Sequence, residues 1–153
     1  LAGIDHEPLP ARICPLPRVG VCRTQFWEET DADTRSSIEH CVTTGSAMVS
    51  PAHLTNTAGT HAGEQLRLKL DDLFRDDDVV LTPSAAGEAP IGLNATGSAS
   101  FSSIWTVGHM PSMTLPPLTG ASKLPIGVQL VNRRDTDRQL FEIARWTAAL
   151  YDR

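Results

Sequence analysis

The 153-residue sequence predicts a layered α/β domain built on a mixed sheet. Three observations carry that reading. Apolar runs of strand length recur, each with proline or glycine beside it: Val79-Val80-Leu81, Met113-Thr114-Leu115 and Ile126 through Val131. Their β-branched content and flanking prolines suit buried strands better than helices, which run longer and carry no internal proline. Segments with helical spacing alternate with these runs. The second and third runs are joined by residues 116–124, a length that suits a loose antiparallel connection rather than a two-residue hairpin turn.

Taken in order, residues 1–17 carry Pro8, Pro10, Pro15 and Pro17 without periodicity and read as an extended lead-in. Residues 18–23, Arg-Val-Gly-Val-Cys-Arg, are apolar through the middle, as a parallel strand covered on both faces would be. Thr30 or Asp31 can cap a helix that runs to about Val42, with Ile38, Cys41 and Val42 inward. Residues 43–63 are small and polar and read as a long connection. Leu66, Leu70, Leu73 and Phe74 then recur at helical spacing over residues 64–75. Asp76-Asp77-Asp78 oppose a helix macrodipole at that end, so they belong to a solvated turn.

Within the central stretch, Phe101, Ile104, Trp105 and Val107 predict a short helix with one apolar face. After the last strand, Thr136 with Gln139 three residues on forms a capping-box signature. The helix it opens runs to about Tyr151, with Leu140, Ile143, Ala144, Thr147 and Leu150 on or near one side. The whole chain is expected to form a single domain.

Composition narrows the function classes. A hydrophobic fraction of 41% supports a core, while aromatics at 5% leave it to aliphatic packing. The net charge of −5, with no basic run, argues against nucleic-acid binding, which needs a cationic face to displace counterions. No apolar run approaches the ~18 residues of a membrane span, and no secretion leader opens the chain. Cys14, Cys22 and Cys41, an odd count without a Cys-x-x-Cys pair, fit reduced thiols in a cytoplasmic protein.

Catalytic motifs are scarce. No Gly-x-Ser-x-Gly elbow follows a strand, and Gly59-Thr60-His61-Ala62-Gly63 has a histidine at its centre. There is no phosphate-cradling loop. The five histidines are scattered without His-x-x-x-His spacing, so no metal is expected. His109, next to Gly108 and just before a strand, is the best placed of them for a ligand. No nucleophile with an activating base can be recognised.

An ordered series of short motifs resembles the C-terminal part of the amidase signature family. The series comprises Asp78-Val79-Val80-Leu81-Thr82-Pro83, Ala89-Pro90, Thr96-Gly97, Phe101, Ile104-Trp105-Thr106, Gly108, Pro111 and Leu115-Pro116. It continues through residues 124–131, Leu-Pro-Ile-Gly-Val-Gln-Leu-Val, and Asp137-Arg138-Gln139-Leu140, so that it spans about half the chain. Leu1-Ala2-Gly3-Ile4-Asp5 is similar to the segment that follows the family's catalytic core, and residues 17–21 to the next strand.

The resemblance implies an α/β/α sandwich, truncated relative to the full amidase fold, and hydrolysis of carboxylic amides. Family members use a serine nucleophile, a second serine in a cis peptide and a lysine base. Those residues lie upstream of the matching part, and Lys69 and Lys123 do not sit where that lysine would, so no catalytic residue is assigned. A long, mostly helical region of the family is replaced here by residues 43–63, which fits a natural truncation, a degenerate copy or a fragment. By position, Thr96, Gly97, Phe101 and Trp105 would line the acyl side of the pocket. No cofactor is implied.

Two functions follow as expectations. One is the C-terminal portion of an amidase-type hydrolase, inactive alone, whose partner is a small-molecule amide. The other is a non-catalytic binding or scaffold module that associates, for instance as a homodimer, through an exposed sheet edge.

Overall fold

A computed structural model describes residues 16–44, 51–54, 62–92, 94 and 96–151. Most of the lead-in over residues 1–17, with His6 and Cys14, lies outside the described residues, as does His61. The elements are β1 (Val19–Thr24), a 3-10 turn (Trp27–Glu29), α1 (Ala32–Thr44), β2 (Pro51–Leu54), α2 (Ala62–Leu73) and β3 (Val79–Pro83). They continue with α3 (Ser100–Gly108), β4 (Ser112–Thr119), β5 (Pro125–Val131) and α4 (Asp137–Tyr151). The sheet runs β2-β1-β3-β5-β4. β1 is parallel to β2 and β3, and β5 is antiparallel to β3 and β4, so the sheet is mixed.

Strand alternation distributes the core to two sides. Val19, Val21, Val79, Leu81, Val128 and Leu130 meet Ile38 and Cys41 of α1 and Leu140, Ile143 and Ala144 of α4. Cys22, Val80 and Val131 face the other way, onto Leu66 and Leu70 of α2 and Ile104 and Trp105 of α3. The result is a helix–sheet–helix sandwich. Asp31 caps α1: its Oδ1 accepts the Thr34 N–H at 2.7 Å. Such a cap is worth about 1 kcal/mol.

Several expectations change. The connection over residues 43–63 contains β2, whose Pro-Ala-His-Leu backbone pairs with residues 21–24 of β1. β4 is not a buried strand but the sheet's outer edge, with alternating half-buried and exposed positions. It also continues through Pro116 and Pro117, which the sequence pattern assigns to the connection, by shifting register between Leu115 and Leu118. Proline is tolerated there because an edge strand has one side free of ladder bonds.

Asp77 is buried rather than solvated, and its carboxylate fills the space a side chain on Gly20 would need. Burial pushes its pKa up. Asp78 takes the backbone N–H of Arg18 at 2.8 Å and its guanidinium at 3.3 Å. Val107 is exposed, because six residues on from Phe101 a helix has turned ~240° away. α4 begins one residue after Thr136, whose hydroxyl donates to the Arg133 carbonyl, while Gln139 Oε1 accepts from Asn132. Both side chains therefore bind the turn before the helix.

Candidate functional site

The topology fixes where a site can form. β1 exits toward α1 on one side of the sheet, whereas β3 exits through residues 84–99 toward α3 on the other. Neighbouring parallel strands whose chains diverge to opposite sides leave a crevice beyond their carboxyl ends, and α/β ligand sites occupy such switch points. Phe26, just after β1, and Phe101, at the start of α3, approach across this crevice with ring centroids 6.0 Å apart.

A cavity of about 410 Å³ opens beside it. Its walls are residues 84–90, residues 96–98, and Thr114, Pro116, Pro125 and Gly127 of the β4–β5 pair. The volume falls in the range of small-molecule sites. Small residues make it. Ser84 donates its backbone N–H to the Gly127 carbonyl at 3.2 Å. A Cβ on Gly127 would stand 2.1 Å from Ser84 Oγ and 3.0 Å from Thr114 Cγ2, so glycine keeps that wall open. Gly97 has a φ of 80°, a left-handed conformation that side chains resist.

Two acidic residues tie down the loop that forms most of the wall, one through its backbone and one through its carboxylate. Asp31 donates its backbone N–H to the Ala86 carbonyl at 2.7 Å, and its side chain abuts Gly87. On the opposite flank Glu88 accepts the Ser122 N–H, at 2.9 and 3.3 Å to its two oxygens, and lies over Gly120. The loop is thus tied to the start of α1 and to the β4–β5 turn.

Of the four residues expected at the pocket wall, Thr96 and Gly97 line this cavity. Phe101 and Trp105 are buried on α3, 0% and 1% exposed, and are not among the lining residues. Ser84, Glu88, Ser98, Thr114 and Gly127 complete the wall, and no motif marks them as site residues. His109 is exposed and ends α3 in a left-handed conformation, φ 56°.

Behind the cavity lies a polar row. Thr82 and Gln129 are cross-strand partners, and Thr114, which lines the cavity, pairs with the same Gln129. Gln129 Nε2 donates to Ser102 Oγ of α3 at 3.5 Å. Thr82 Oγ1, Gln129 Oε1 and Trp105 Nε1 are buried without a hydrogen-bond partner.

The chemistry within reach is limited. The sequence contains two lysines, Lys69 and Lys123, and both are exposed, so neither is a desolvated base. Ser84 and Ser98 are the serines at the cavity, and Ser98 Oγ lies 2.7 Å from Ser100 Oγ. Burial pushes the Cys22 thiol up to about 12 and raises that of Cys41, which leaves both poor nucleophiles. Among the described residues, no three His, Cys, Asp or Glu side chains gather to hold a metal ion. No helix among them is long and apolar enough to cross a membrane.

Comparison with known proteins agrees with this architecture. No family model matches the chain. It is 35% identical over 85 residues to the A subunit of the mitochondrial glutamyl-tRNA(Gln) amidotransferase of Mus musculus, a match covering 49% of this chain and 16% of that protein. The Aedes aegypti protein of the same name is 28% identical over 85 residues, covering 50% of this chain and 17% of that one. The match thus spans about a sixth of the length of these relatives.

Among solved structures, the A subunit of glutamyl-tRNA(Gln) amidotransferase from Thermotoga maritima superposes with a TM-score of 0.68 at 14% identity, covering 84% of this chain and 41% of that one. An amidase gives 0.70 at 15% identity, covering 93% and 47%. The substrate complex of 6-aminohexanoate cyclic dimer hydrolase gives 0.69 at 14% identity, covering 95% and 50%. The chain has the α/β fold of part of these enzymes, and the likenesses together support a relation to the amidase family.

Proposed function

We propose that this chain forms, as a single domain, the C-terminal portion of an amidase-type hydrolase acting on carboxylic amide C–N bonds. Its cavity is one wall of the acyl pocket. Thr96 and Gly97 face the substrate, while Phe101 and Trp105, expected at the same wall, are buried on α3 and anchor that helix in the core. The nucleophile and base come from polypeptide outside these 153 residues, and the chain alone is inactive. The observation that carries the reading is a mismatch of coverage. Most of this chain superposes on amidase-fold enzymes while filling at most half of them, and it holds no buried lysine among its own residues. Free, buried Cys22 and Cys41 support a reducing compartment such as the cytoplasm.

The test is an assay of the purified chain on simple aliphatic and aromatic amides, with no turnover expected. Turnover abolished by alanine at Ser84 or Ser98 would place a nucleophile in this chain and overturn the proposal. Genomic sequence immediately upstream of Leu1 should encode a glycine-flanked serine pair and a lysine.

A non-catalytic module that self-associates is the second reading, and one observation favours it. β4 guards its edge with Pro116 and Pro117, whereas β2 at the opposite edge pairs on one side with β1 among the described strands. Light scattering that gives a monomer at all concentrations would remove that reading.

A further inference from the structure

We propose that the cavity discriminates by charge, accepting a neutral or cationic acyl group and rejecting an anionic one, with Glu88 as the specificity-determining residue. The inference rests on the reading of the cavity as an acyl pocket.

Among the lining residues Glu88 carries the one ionisable side chain; the others are serine, threonine, alanine, glycine and proline. Its carboxylate is held in place by the Ser122 N–H and by contact with Gly120, so it cannot swing away from an incoming ligand without losing both. Asp31 adds a second carboxylate against the outer side of the same loop at Gly87. The wall contributes no cation to offset them. Lys123 follows Ser122 in the turn but is exposed and outside the lining.

The start of α3 could in principle favour an anion, since Ser98 lines the cavity and the helix begins at Ser100. Three of its first four N–H groups are already engaged, however. Ser100 N–H goes to Ser98 Oγ at 3.2 Å, and the Ser102 and Ser103 N–H groups go to the Ala99 carbonyl. The full charge that a charged group in the cavity meets on its wall is therefore that of Glu88. Like charges ~6 Å apart weaken binding about threefold at the dielectric of water and about a hundredfold at that of a protein surface, so beside a half-buried carboxylate in an open cavity the penalty is about tenfold.

The experiment uses the full chain, 15N-labelled, titrated with three ligands of one chain length: butyramide, 4-aminobutyramide and succinamate. Amide shifts of Thr96, Gly97, Thr114 and Gly127 report occupancy. Butyramide and 4-aminobutyramide should move these resonances, while succinamate should require about tenfold more ligand. Glu88→Gln, which can still accept from Ser122, should bring succinamate to parity with butyramide when both are titrated into the same variant. Glu88→Asp, which keeps the charge but shortens the reach, should keep the discrimination, so loosening the loop is separated from removing charge.

Equal binding of succinamate and butyramide to the natural chain, or discrimination that survives Glu88→Gln, would overturn the charge assignment alone. Failure of all three ligands to move any of the four resonances would overturn the acyl-pocket reading itself, and this inference with it.

Discussion

Replacing Thr82 by valine should make the protein more stable. Thr82 sits mid-sheet on β3, fully buried, and its hydroxyl has no hydrogen-bond partner. Burying an unpaired hydroxyl costs about 1–3 kcal/mol by mutational measure. Valine has nearly the same shape, keeps the β-branch that suits a strand, and removes that cost. Thr82 shares a strand face with Val80, which packs in a cluster with Val131 and Trp105, and on that filled side of the sheet overpacking by the added methyl takes back part of the gain. The expected net gain is about 1 kcal/mol, which in a domain of this size raises Tm by about 3 °C. Urea denaturation followed by circular dichroism and by tryptophan fluorescence would measure it. A loss of about 1 kcal/mol or more would refute the reasoning. It would mean that the hydroxyl is bonded in solution, and that the row Thr82–Gln129–Thr114 is a satisfied network rather than a strained one.

The adjacent carboxylates of the turn before β3 should titrate with opposite signs. Burial raises the Asp77 pKa, so its contribution is complete below the unfolded value near ~4 and is lost as pH rises through the folded value. Asp77→Asn should therefore raise stability at neutral pH by up to about 1 kcal/mol and remove that slope, as acid-range denaturation curves would show. For Asp78, burial pushes upward, but the hydrogen bonds and charge of Arg18 together outweigh it and hold the pKa low. Its contribution is present above ~4 and fades as pH falls through the folded value, and Asp78→Asn should cost less than about 1 kcal/mol because the pair is solvent-screened. Gly127→Ala should push Ser84 aside, narrow the cavity and weaken butyramide binding in the same titration, and Ser84→Ala in the same chain should restore it. Gly87→Ala should displace Asp31 from its cap on Thr34 and cost about 1 kcal/mol in thermal melts, and combining it with Asp31→Ala should add little more.

The strands and helices that form the core are legible because each writes its burial into a period. β1, β3 and β5 present near-continuous apolar runs, since both sides of those strands are covered, and α4 repeats its inward residues at helical spacing. β2 escapes notice because Pro-Ala-His-Leu is too short and mixed to carry a period, and its place is fixed by pairing with β1. β4 is misread because prolines that end an interior strand are acceptable on an outer one. The cavity is legible only at Thr96 and Gly97. Patterns of large apolar residues report filled space, whereas this wall is formed where side chains are small: Ser84, Ala86, Gly87 and Gly127. For the same reason Phe101 and Trp105, the most conspicuous residues of the stretch, are buried on α3 and are not among the lining residues.

The bond from Glu88 to the Ser122 N–H couples two parts of the molecule that are 34 residues apart. The β4–β5 ribbon and the lip of the cavity are stitched together at that point, so a tilt of the ribbon's tip drags the lip with it. A guest that spreads the lip must, by the same mechanical linkage, flex the ribbon, and the exposed Ala121 at the tip offers a place from which to watch the interior fill.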